Sequence, residues 1–290
     1  MTVTSPGKDT AASVGTIITC GVSHAKGSYV EVEGGLAFDA RNIVIDVYPA
    51  SGFSAAVLGF VDIAVDPAGG TAYAVVVENL LILGGTSSLS RMRWEFPLKI
   101  AASSSIAIRG SNSSAAALTF SAGLTLSSEG SLPTLSKVTT IGATLATSSG
   151  IAVDPGATIN TKGAYVEFIA STAEEYHGIL VGARQANATA TAAGFLLDVA
   201  TGAGGSEVVK IPNLFYSSNA GSDQIEQASS QWIPNTFPVA SRLACAAQCS
   251  INDATDRLLD HVVLYMGVNS NDAAGGGMLR HPGMAGGLNA

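Results

Sequence analysis

The chain has 290 residues, of which 12% are charged and 47% hydrophobic, with 33 glycines and a formal net charge of −8. That length holds two domains of ordinary size, and so few charges argue against a mainly helical protein and for short strands joined by Gly and Ser turns. The 14 scattered basic residues argue against a nucleic-acid partner, no apolar run is long enough to cross a bilayer, and residues 1–10 lack a secretory pattern, so a soluble protein is expected.

Residues 1–15 are polar and without periodicity, and are expected to form an N-terminal arm ending where Thr16-Ile17-Ile18-Thr19 begins a β-branched run. Strands are expected at 29–32 and 42–47, stopped by Gly34-Gly35 and by Pro49-Ala50-Ser51-Gly52. A hairpin follows, 58–65 into 71–83, turned by Asp66-Pro67-Ala68-Gly69-Gly70. Alternation would put Tyr73, Val75, Val77, Asn79 and Leu81 on one face of its second strand and Ala74, Val76, Glu78, Leu80 and Ile82 on the other. Further strands are expected at 93–100, 105–109 and 115–126. The Ser-, Thr- and Gly-rich stretch 127–149 reads as an interdomain connection carrying one short strand at 137–141.

Beyond it the pattern returns, with strands at 164–169, 178–183, 194–200, 207–216, 232–239, 242–249 and 258–267. The helical potential of 253–259 is outweighed by this repeat, and the tail from Ala273 is too rich in glycine for a regular element. Lys26-Gly27-Ser28-Tyr29-Val30-Glu31 recurs as Lys162-Gly163-Ala164-Tyr165-Val166-Glu167. Gly59-Phe60-Val61-Asp62-Ile63-Ala64 answers to Gly194-Phe195-Leu196-Leu197-Asp198-Val199-Ala200, Glu78-Asn79-Leu80 to Pro212-Asn213-Leu214, and Trp94 with Phe96-Pro97 to Trp232 with Phe237-Pro238, always in one order. The expected fold is therefore all-β, two tandem β-sandwiches of jelly-roll type related by internal duplication. The divisions are an arm at 1–15, a first sandwich at 16–126, a connection at 127–149, a second sandwich at 150–272 and a tail at 273–290.

At Gly202-Ala203-Gly204-Gly205-Ser206-Glu207-Val208-Val209-Lys210-Ile211-Pro212-Asn213-Leu214, and from Trp232-Ile233-Pro234 through Phe237-Pro238-Val239-Ala240-Ser241-Arg242-Leu243-Ala244, the sequence resembles structural proteins of tailed bacteriophage particles. In those a similar hairpin precedes a strand with a Pro-x-Ala-x-Ser/Thr-Arg-like segment. The match lies mainly in the second half, since Phe96-Pro97-Leu98-Lys99-Ile100 lacks the Ser-Arg pair. The resemblance implies a non-enzymatic virion component made in the host cytoplasm, whether head decoration, neck, tail or fibre. Its implied partners are copies of itself and other virion proteins such as the major capsid or tail proteins. The competing expectation is a fibre or adhesin that binds host-surface carbohydrate through loops such as 217–232.

No constellation for catalysis, a cofactor or a metal stands out. His24, His177, His261 and His281 lack ligand spacing, and Cys245 and Cys249 have no second pair to complete a zinc site. With Cys20 they are expected to be free thiols. Asp62 and Asp198, like Glu31 and Glu167, could suggest paired carboxylates of a hydrolase, but an acidic residue between apolar ones reads first as the solvent face of a half-buried strand. Trp94 and Trp232 are the candidate binding residues, for an interface or a glycan, with core packing as the simpler reading.

Overall fold

The computed structural model describes residues 1–9, 14–49, 57–83, 92–129, 134–184, 192–218, 225–226, 232–252 and 258–269, and every regular element among them is a strand. In chain order these are β1 (Val3–Thr4), β2 (Lys8–Asp9), β3 (Val14–Thr19), β4 (Val30–Glu33), β5 (Asn42–Pro49), β6 (Leu58–Asp66), β7 (Ala74–Leu83), β8 (Met92–Phe96), β9 (Ser105–Asn112) and β10 (Thr119–Ser127). They continue as β11 (Leu135–Ile141), β12 (Ile151–Val153), β13 (Val166–Ile169), β14 (Ile179–Arg184), β15 (Ala193–Thr201), β16 (Val208–Ser218), β17 (Ile225–Glu226), β18 (Leu243–Cys249) and β19 (Leu259–Asn269).

The two halves pair their strands in one order. In the first, a front sheet runs β3, β10, β5, β8 and a back sheet runs β4, β9, β6, β7. In the second, β12 and β14 flank β19 in the front sheet, which a bridge from Ile179 to Ile233 extends, and the back sheet runs β13, β18, β15, β16, with the short β17 added at its edge. This is the jelly-roll arrangement, and its recurrence makes the chain a tandem pair of β-sandwiches built by duplication. The front sheet of the first half shows the expected alternation in β8, where Met92, Trp94 and Phe96 point into the core while Arg93 and Glu95 are exposed. The first core gathers around Trp94, Phe96 and Phe120 and the second around Phe195, Phe237 and Met266.

Four expectations need correcting. Residues 1–9 are not a free arm: β1 pairs with β10 and β2 with β3, which makes them edge strands of the first sandwich. Strands of two residues carry no periodicity from which to read them. Strict alternation along β7 fails at Asn79, whose φ of 52° accompanies an irregular register, so that Val77, Leu80 and Ile82 oppose the core-facing Ile63, Val61 and Gly59 while Leu81 lies on the other face with Phe60. The similar-looking Gly59-Phe60 and Gly194-Phe195 are not equivalent. Asp62 and Asp198 fix the register, which matches Phe60 to Leu196, so Phe60 lies fully buried on the same face of β6 as Asp62, whereas Phe195 points between the sheets into the second core.

The fourth concerns the connection. The short strand expected at 137–141 is β11, and it joins the halves rather than only linking them. It pairs antiparallel with β19 and touches β7 in parallel at Val138 and Val77, so the back sheet of the first half runs into the front sheet of the second. The stretch 253–257, the tail from Ala273 and most of the 217–231 loop lie outside the described residues.

Candidate functional site

The repeated hexapeptide is explained by a buried polar knot on the outer face of each back sheet. In the first half Lys26 Nζ donates to Asp62 Oδ1 at 2.8 Å, Arg109 Nε to Oδ2 at 3.0 Å, and the backbone N–H of Asn79 to Oδ1 at 2.9 Å. In the second, Lys162 Nζ donates to Asp198 Oδ1 at 2.7 Å and to Leu196 O at 2.9 Å, and the N–H of Asn213, at φ 53°, reaches Oδ1 at 2.7 Å. Asparagine tolerates this left-handed backbone, which turns an N–H out of the ladder and onto the carboxylate. Gly27 and Gly163 hold their lysines close to the sheet, since a Cβ on either would stand 2.5 Å from a backbone oxygen, of Thr19 and Asp154 respectively.

Asp62 and Asp198 are 3% and 8% exposed, so the solvent-face reading of these residues is wrong: they are interior and ion-paired. Burial pulls the Lys26 ammonium below its ordinary value, against the pull of Asp62 beside it. Glu31 accepts the Tyr73 hydroxyl at 2.8 Å, and Glu167 accepts Arg242 Nε at 2.6 Å. The candidate acidic residues are thus divided between two separate groups, each held by cations, N–H donors or, for Glu31, a tyrosine hydroxyl of its own half. Tyr29 lies 5.3 Å from Tyr73, ring to ring, and 4.5 Å from the Arg109 guanidinium.

Trp94 and Trp232 have different fates. Trp94 is fully buried in the first core, where no sugar could reach it. Trp232 is half-buried at the joint between the halves, edge-on to Phe96 at 6.0 Å. It fills a notch that needs two glycines, because a Cβ on Gly178 or Gly267 would come within 2.4 or 2.5 Å of the indole. Trp232 therefore packs between the two halves of its own chain.

That joint is the site sequence reasoning missed. Leu135, Val138, Leu180, Val263 and Tyr265 of the second half complete the first half's core. Leu135 exchanges backbone bonds with Pro97 and Lys99 at 2.7 and 2.8 Å, Thr140 bonds both the carbonyl and the carboxylate of Glu78, and the N–H of Leu81 donates to the Tyr265 hydroxyl at 3.0 Å. Burial pushes the Tyr265 phenol up to about 12. The only signal was Leu135, Val138 and Ile141 inside a Ser- and Thr-rich run, and these stand three apart rather than at a strand's period of two because the register shifts between Leu135 and Lys137.

The surfaces that correspond to the joint elsewhere in the chain are open. Of the twelve large apolar side chains most exposed among the described residues, Val3, Val14, Ile17 and Tyr48 lie on the first half's front sheet. Val208, Val209, Phe215 and Val239 lie on β16 and just after Phe237-Pro238 in the second half. Two regions, one in each half, thus hold eight of the twelve.

No protein-family model matches this chain, and no curated protein does. Among solved structures, it is similar to the N-terminal CBM22-1-CBM22-2 tandem domain of Paenibacillus barcinonensis Xyn10C, at 12% identity over 87% of this chain and 86% of that one, with a TM-score of 0.25. It is also similar to tripeptidyl peptidase 2, at 6% identity over 91% of this chain and 23% of that one, with a TM-score of 0.26. Likenesses this loose say nothing about what the chain does.

Proposed function

We propose that this chain is a non-enzymatic building block of a bacteriophage particle, a capsid-decorating or other surface virion protein that assembles with copies of itself and with neighbouring virion proteins. The observation that supports it is the gathering of exposed apolar side chains in two regions, one in each half, of a low-charge molecule. A contact built from such residues has few ion pairs, so association should vary little with salt. Sedimentation velocity at low and high ionic strength tests this. Association at both supports the reading, and association that disappears at high salt overturns it.

A second reading, recognition of host-surface carbohydrate, is favoured by one feature, the half-buried Tyr29 and Tyr73 pair beside Glu31 and Arg109. Glycan binding by the free protein that is lost in Tyr73→Ala, together with a monomer at all concentrations, would replace the assembly reading with this one.

A further inference from the structure

The chain contains one worked example of how two of its units join, and the duplication shows where that joint is left open. In the internal joint the first half offers β7 and residues 97–99, and the second half offers the outer face of its front sheet, from β11, β19 and β14. The duplicated counterpart of β7 is β16, and the counterpart of β11 is β1. Val3 of β1 pairs with Ser127, the last residue of β10, as Leu135 of β11 pairs with Asn269, the last residue of β19.

The exposures follow this correspondence. Leu135 is fully buried and Val3 is 49% exposed. Asn79 and Asn213 set the register that makes Phe215 the counterpart of Leu81, and their exposures are 56% and 1%. Leu98 after Phe96-Pro97 is buried, whereas Val239 after Phe237-Pro238 is exposed. Ile17 and Tyr48, both opposite Ser121, extend the exposed strip across the outer face of the first half's front sheet.

Resting on the assembly reading above, we infer that the partner of the second half's open end is the first half of another copy of this chain, joined head to tail in the manner of the internal joint. The contact is heterologous, so it closes into a ring or runs on as a filament according to the rotation between copies. The external joint is weaker than the internal one. Lys210 and Pro212 stand on β16 where β7 has Val76 and Glu78, which removes an N–H and the carboxylate that holds Thr140. On the receiving face Gly123 opposite Asp46 replaces Tyr265 opposite Leu180, and the Lys8 stem lies over Gly123. At its far end, Ser217 and Ser218, β16 is already paired with β17, and what remains for the joint is side-chain packing. A tethered joint also gains an effective concentration of about a millimolar that separate chains lack.

The test uses the full chain and two exposed-surface variants, Val3→Asp with Ile17→Asp to block the head and Phe215→Asp with Val239→Asp to block the tail. The wild type should associate in sedimentation equilibrium as its concentration approaches about a millimolar. Each variant should be monomeric with unchanged circular dichroism and melting, and an equimolar mixture should form dimers and nothing larger, because only one open head meets one open tail. The dimers themselves would show both variants folded. A blocked variant that still associates overturns the head-to-tail joint while leaving the assembly reading intact. A mixture that stays monomeric overturns the joint as well, and a wild type monomeric throughout overturns both.

Discussion

The two halves share a strand order and a knot, yet differ in what surrounds each. Asp62 is held by two cations, whereas Ala246 stands opposite Asp198 where Arg109 stands opposite Asp62, leaving Lys162 alone. The first half also has its β7 edge covered by the second, while β16 carries Lys210 and Pro212 and meets only the two-residue β17, at Ser217 and Ser218. Duplication therefore copied a scaffold whose outer face then specialised, with more charge and more burial where another domain packs.

The largest expected effect comes from removing the shared carboxylate. Asp62→Ala leaves the half-buried Lys26 and Arg109 side by side without a counter-ion and should cost about 3 kcal/mol, the low end for a buried pair because both cations keep some water. Asp198→Ala strands one lysine and should cost clearly less, so equal losses in urea unfolding would break the comparison. Tyr265→Phe comes next, because it orphans the buried N–H of Leu81 and should cost roughly 1–3 kcal/mol, with faster hydrogen exchange at Leu81 as the local readout.

The same residue makes a pH prediction. Its folded-state value is raised above the ordinary 10.0 to about 12, so the folded form favours the neutral phenol. That contribution is complete below pH 10 and is lost as pH rises toward 12, by roughly 3 kcal/mol at most. Tyr265→Phe should flatten part of the alkaline loss of stability, and an unchanged slope would show that the phenol is not buried in the joint. Gly267→Ala should destabilise by about 1–3 kcal/mol through its clash with Trp232. The smallest effects test what the halves share: Asn79→Gly and Asn213→Gly should each be nearly neutral, and the alanine variants should each cost about 1 kcal/mol because of the left-handed backbone. A large difference between the two positions would mean that the bulges are not equivalent.

The duplication was legible because the hexapeptide is fixed at several positions by structure. Its lysine must reach the aspartate, its glycine must admit a backbone oxygen, and its valine pairs with β9 or β18. The strands were legible from their turns and β-branched runs. The joint was not, because it depends on residues far apart in sequence, Leu81 with Tyr265 and Phe96 with Trp232, that look like ordinary core residues of separate domains. Nor was the knot, since an aspartate between apolar residues has the same pattern whether it meets water or a buried lysine.

Sharing a core across the joint also has a consequence for synthesis. A nascent chain emerges from its N-terminus, and the first half is complete in sequence once β10 has been made. Its core is not, because Leu180, Val263 and Tyr265 are still to come. The earlier domain must then wait for the later one, exposing β7 and Phe96 through the making of more than a hundred further residues. A chain stopped after Ser127 should therefore fold poorly and bind chaperones, even though it holds every strand of its own sandwich.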